Sequence, residues 1–143
     1  MGLFSFLFKK DVTPIEIKKT AHSIKKGYFE ISGYHHLPEE VKKIVWKKLK
    51  PGDSLMLAID PYNKYDPKAI KVYFGDTFIG WVSSSYSRKG ELFNMIVEGY
   101  DFHFNCKSNY RNADNRTDEK TGLIKYLGMA QFVAVEFSVI SNQ

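Results

Sequence analysis

From Tyr28 to Ile140 the chain reads as short β-prone runs, several of them joined by turn signals too close together for crossover helices. Such spacing argues against a doubly wound parallel sheet, whose neighbouring strands need connections of about a dozen residues or more. Tyr28–Ser32 alternates and ends at Gly33. Ser54–Asp60 is a second run, and Ala69–Phe74 and Thr77–Val82 flank Gly75-Asp76, a hairpin signal. Tyr100–Lys107 alternates again, with Phe102, Phe104 and Cys106 on one pleat and Asp101, His103 and Asn105 on the other. The polar stretch Ser108–Gly122 is expected to be a mobile hairpin tip or insertion, and Leu127–Ile140 to be one long bent strand or two.

Two helices are predicted among these strands. Pro38-Glu39-Glu40 opens the first, because proline lacks only an N–H that has no partner at the first helical position. The two carboxylates face the positive end of the helix dipole. Val41, Ile44, Val45 and Lys48 or Leu49 follow at helical spacing, Lys42, Lys43 and Lys47 point away, and Pro51-Gly52 stops the run. The second helix is predicted from a cap at Ser83–Ser85 to about Glu98, with Leu92, Phe93, Ile96 and Val97 as its apolar stripe and Gly99 as its end. Five to seven strands and two helices describe a mainly β fold, a small antiparallel β-barrel with helices across its openings.

A chain of 143 residues with 43% apolar and 15% aromatic content supports one such core. We expect an N-terminal arm over 1–26, basic with an apolar start, and the barrel domain over 27–143. The net charge of +5 is uneven: residues 1–50 hold 11 Lys and 5 acids, whereas the remainder carries a slight negative excess. Basic surface attracts phosphate polymers and also keeps proteins soluble. One cysteine, Cys106, allows no internal disulfide and suits a reducing, cytoplasmic setting. The opening Leu3, Phe4, Phe6, Leu7 and Phe8 precede Lys9 and Lys10, the wrong order for a signal peptide. Phe6 also stands where a myristoylation pattern has Ser or Thr. The apolar start is then a weak membrane or partner anchor, a segment docked on the domain, or a loose end. No stretch is long enough to span a membrane.

Catalytic signatures are missing: there is no Gly-rich phosphate loop, zinc-protease His-Glu pair or nucleophile elbow. His35 and His36 are adjacent, a spacing that keeps both rings from one metal in regular structure, and His22 and His103 stand alone. No catalytic residue, metal or cofactor is assigned. The informative stretch is Asp60-Pro61-Tyr62-Asn63-Lys64-Tyr65-Asp66-Pro67-Lys68-Ala69-Ile70-Lys71-Val72, followed by Ile79-Gly80-Trp81-Val82. Tight turns account for its Pro, Asn and Asp but do not call for Tyr62 and Tyr65. Two aromatic faces beside a carboxylate and an amide suit an unstacked base and its sugar. The competing reading keeps Asp66 for capping backbone N–H groups and Tyr65 for packing on the barrel.

Together with Gly33-Tyr34 and Leu49-Lys50-Pro51-Gly52-Asp53-Ser54-Leu55, these segments resemble the HIRAN domain over about residues 27–107, and the later strands fit it more loosely. The resemblance implies a barrel related to the oligonucleotide-binding (OB) fold and a non-catalytic module that captures the 3′-hydroxyl end of single-stranded DNA in DNA repair or processing. The implied partners are single-stranded DNA or DNA ends and a helicase or nuclease acting in trans. By the same resemblance Tyr65 stacks on the terminal base, Asp66 accepts a hydrogen bond from the 3′-hydroxyl, and Asn63 contacts the terminal nucleotide. Tyr34, His35 and His36 stand where a DNA-binding relative has a cation and a stacking aromatic. Tyr62 replaces an Asn, Trp81 a phosphate-contacting His, and Ser83–Ser85 basic residues. Phosphate attraction is thereby altered, with Arg88, Lys89 and the Lys-rich Pro38–Lys50 helix as compensating cations that sequence cannot position. Two alternatives stay open: a protein-interaction domain that kept the fold and lost DNA binding, and a nuclease if Asp60, Asp66 and Asp76 converge on a metal.

Overall fold

The alternating runs become six antiparallel strands in a computed structural model, which describes residues 22–140. In chain order these are β1 (Lys26–Ser32), α1 (Glu39–Lys47), β2 (Ser54–Ile59), β3 (Ile70–Phe74), β4 (Thr77–Val82), α2 (Lys89–Val97), β5 (Phe102–Thr117) and β6 (Ile124–Val139). A 3-10 turn, Tyr34–His36, joins β1 to α1. The strands close in the order β1-β4-β3-β2-β5-β6, so the fold is the expected small antiparallel barrel with two helices. The readings of the apolar start, Leu3 to Phe8, and of the basic arm up to residue 21 lie outside the described residues.

Closure depends on two strands that change partners along their length. β1 pairs with β6 from Lys26 to Glu30, then with β4 through Ile31↔Val82 and Ser32↔Trp81. β2 pairs with β5 at Ser54 and Leu55, then with β3 from Met56 to Ile59. Such switches make the corners at which one twisted sheet folds onto another. The enclosed core contains Phe29, Leu55, Ile70, Val72, Ile79, Cys106, Val135 and Phe137, with Val45 and Leu49 from α1 and Leu92 and Met95 from α2. Ile24, ahead of β1, also belongs to it. Burial pushes the Cys106 thiol up to about 11, which keeps it protonated and poorly nucleophilic near neutral pH.

Four local expectations are corrected. α2 starts at Lys89, because the Ser83 hydroxyl accepts from the Ser85 N–H (3.2 Å) and the Tyr86 N–H bonds Ser83 O (3.1 Å), closing a turn there. The buried stripe of α2 is Leu92 and Met95, flanked by half-buried Phe93 and Ile96, while Val97 is exposed. Ser108–Gly122 is no loose insertion: β5 runs on to Thr117, paired with β6 as far as Thr117↔Ile124, so the two strands leave the barrel as a ribbon. Pro38 sits one residue ahead of its predicted place, at the N-cap of α1.

Candidate nucleic-acid interface

Loop 60–69 joins β2 to β3, and its base is closed by the Asp60 N–H donating to Ala69 O (2.9 Å). Inside it, Asn63 is the organising side chain. Its Oδ1 accepts from the backbone N–H groups of Tyr65 and Asp66 (both 2.9 Å), and its Nδ2 donates to Asp60 Oδ2 (3.2 Å). The same Asp60 oxygen accepts from Trp81 Nε1 on β4 (3.3 Å), tying the loop to the barrel wall. Burial pushes the Asp60 carboxyl up, but bonds from Asn63 and Trp81 and the nearby Lys71 ammonium outweigh this and hold it below its ordinary range. That stabilisation is present above the unfolded-state pKa and is lost as pH falls through the lowered folded value. The Asn63→Ala protein should lose about 1–2 kcal/mol of stability in urea titration, since two backbone N–H groups lose their acceptor and Asp60 Oδ2 keeps only the Trp81 donor.

With its backbone held this way, the loop projects its tyrosines outward: Tyr65 is 95% and Tyr62 91% exposed. Beside Tyr65 lies a cleft of about 480 Å3 to which the loop contributes Asn63, Tyr65 and Asp66, and the wall Trp81 and His36. Five of the eight predicted site residues therefore converge. Tyr62 is not among the lining residues, and Tyr34 and His35 line a neighbouring cleft of about 450 Å3. A shallow cleft of about 500 Å3 on the barrel wall, at Tyr28 and Lys107, contains none of the eight.

Sequence reasoning could not place Lys89, the first residue of α2. Its ammonium pairs with Asp66 Oδ2, while the Lys68 N–H donates to Asp66 Oδ1 (2.9 Å). The Lys89 bond and this backbone donor hold the Asp66 carboxyl below its usual range, so it is ionised at neutral pH. A carboxylate has about four acceptor positions, so these two donors leave it able to accept another. Arg88 turns away, to Glu91 and Ser23. Lys42 lies over the Tyr34 ring (5.5 Å) and Lys47 over Trp46 (5.5 Å).

The remaining histidines are placed as follows. His35 Nε2 donates to Asp114 Oδ2 (2.8 Å), and His103 is exposed on β5. His22 is not alone: its ring nitrogens lie 3.3 Å from Glu91 Oε2 and Glu98 Oε2. Asp60 and Asp66 are engaged separately, and among the described residues no group of three or more His, Cys, Asp or Glu is placed to hold a metal ion.

The structure defines a small, closed six-stranded β-barrel with an aromatic, carboxylate-bearing loop between β2 and β3. The HIRAN domain family model matches residues 24–123, well over half the chain, and the chain belongs to that family. The HIRAN domain is a nucleic-acid-binding domain rather than a catalytic one. The crystal structure of a protein from Lactobacillus plantarum shares the fold, with a TM-score of 0.52 and 11% identity over 80% of this chain and 95% of that one. The crystal structure of the HIRAN domain of human HLTF aligns with a TM-score of 0.49 and 12% identity over 80% of this chain and 76% of that one. No curated protein sequence matches the chain. Among the described residues no helix is long and apolar enough to cross a membrane.

Proposed function

We propose that this chain is a non-catalytic module that binds single-stranded DNA ends carrying a free 3′-hydroxyl and serves DNA repair or processing in the cytoplasm. A helicase or nuclease acting in trans is the expected partner, and residues 27–143 form the binding unit. The observation that carries this reading is an ionised Asp66 beside the exposed Tyr65 ring in a cleft closed by Trp81 and His36. Tyr65 offers the terminal base a stacking face, and Asp66 accepts from the terminal hydroxyl. Asn63 acts through the loop it organises, and Lys89 supplies attraction for the last phosphodiester.

The test compares short single strands ending in a 3′-hydroxyl or a 3′-phosphate. The wild-type protein should prefer the hydroxyl by roughly tenfold or more, the scale of a hydrogen bond to a charged acceptor. Asp66→Ala removes that acceptor and leaves Lys89 uncovered, so the preference should reverse toward the phosphate. Wild-type protein that is folded and binds neither end would overturn this reading and favour a protein-interaction domain.

A further inference from the structure

We propose that the cleft between the β5–β6 ribbon and the 3-10 turn Tyr34–His36 is a second subsite, which takes the phosphodiester backbone of the strand leading away from the bound end. This rests on the end-binding reading and adds a path for the strand. The two clefts adjoin: Ser32 and His36 line both of them.

The second cleft exists because the ribbon outruns its neighbour. β1 accompanies β6 only as far as Glu30↔Ala134, whereas β5 and β6 stay paired to Thr117↔Ile124. Beyond Ala134 the β1 side of β6 is therefore left without a strand, and the 3-10 turn faces it across the gap. Leu127, Ala130 and Gln131 line the β6 side, and all three lie outside the residues matched by the family model.

The charge of this cleft is set by a register irregularity. Pairing in β5 shifts between Ala113 and Asn115, and Asp114, at that shift, is 5% exposed. Its carboxylate accepts from Arg116 Nε (2.9 Å) and Nη2 (3.1 Å) as well as from His35. These bonds fix the guanidinium on the cleft, yet the Arg116 side chain remains 65% exposed. Lys125 is the direct cross-strand partner of Arg116 and so stands on the same face of the ribbon. No described residue lining the cleft is an Asp or Glu. A fixed, exposed guanidinium with a second cation beside it suits phosphate oxygens. The position of this cleft directly beside the end cleft, with Ser32 and His36 common to both, favours a nucleic-acid strand over a peptide added along β6.

The experiment measures binding of 3′-hydroxyl strands of two and eight nucleotides to wild type, Arg116→Ala, Lys125→Ala and Tyr65→Ala across a salt series. Arg116→Ala should weaken the eight-nucleotide strand by about tenfold, leave the dinucleotide within about twofold, and flatten the logarithmic salt slope by about 0.7 per lost phosphate contact. Lys125→Ala should show a smaller loss with the same length dependence; it leaves the Asp114 cluster in place and separates the effect from any unfolding. Tyr65→Ala should weaken both lengths. If Arg116→Ala and Lys125→Ala bind the long strand as wild type does, with Tyr65→Ala still impaired, the second subsite is overturned and end binding stands. If wild type binds neither strand, both readings fall.

Discussion

Truncating Tyr65 to alanine should lower affinity for a short 3′-hydroxyl strand by roughly ten- to a hundredfold, because stacking on one aromatic ring contributes about 1–3 kcal/mol per base. The melting temperature should stay within about 2 °C of wild type, as expected for a surface substitution away from packing. The asymmetry follows from how the loop is built. Its shape is fixed by Asn63, whose Oδ1 accepts from the backbone N–H groups of Tyr65 and Asp66, and not by the Tyr65 ring, which is 95% exposed. Tyr62 is the matched control. It is nearly as exposed in the same loop but does not line the cleft, so Tyr62→Ala should change affinity by less than about threefold, close to the ±0.5 kcal/mol of an uninvolved surface site. Fluorescence anisotropy with a labelled strand, paired with thermal melting, separates the two. Equal affinities for wild type and Tyr65→Ala would remove the stack from the mechanism.

The barrel strands were legible because each has one face in the core, which imposes a period of two on the sequence. Phe102, Phe104 and Cys106 show it directly. The same rule explains why the ribbon was missed. Where β5 leaves the barrel, much of it is exposed, so no apolar alternation is required of Asn109 to Thr117, and pairing with β6 sustains the strand. The start of α2 was misread for a local reason: Ser83 is a good cap by composition, but its hydroxyl closes the turn that precedes the helix. Loop 60–69 could be read as a unit because its organising bonds span two or three residues. Lys89 meets Asp66 from 23 residues away, and His35 meets Asp114 from 79. Those meetings depend on how α2 and the ribbon pack, which no local pattern encodes.

Gly80→Ala should be the most damaging single substitution near the site, costing about 3 kcal/mol or more, or roughly 10 °C in melting temperature for a chain of this size. Gly80 has φ +140, a conformation that L side chains rarely adopt. A Cβ there would lie 2.5 Å from Ser32 O, and that oxygen is backbone, in the segment where β1 joins β4 to close the barrel. Relief therefore requires the β1–β4 seam to open. Gly33 makes a useful contrast. Its φ of +93 is also unfavourable for a side chain, but a Cβ there would meet the Trp81 ring, at 2.7 Å, rather than backbone. A ring can tilt, and in doing so Trp81 would weaken its bond to Asp60 and reshape the wall of the end cleft. Gly33→Ala is accordingly expected to cost less stability, about 1–2 kcal/mol, and to impair end binding out of proportion to that loss. Urea titration and strand binding on the two proteins check the contrast. If Gly80→Ala melts as wild type does, the tight approach of β4 to Ser32 is not what holds the barrel shut, and the Ile79-Gly80 segment needs another explanation.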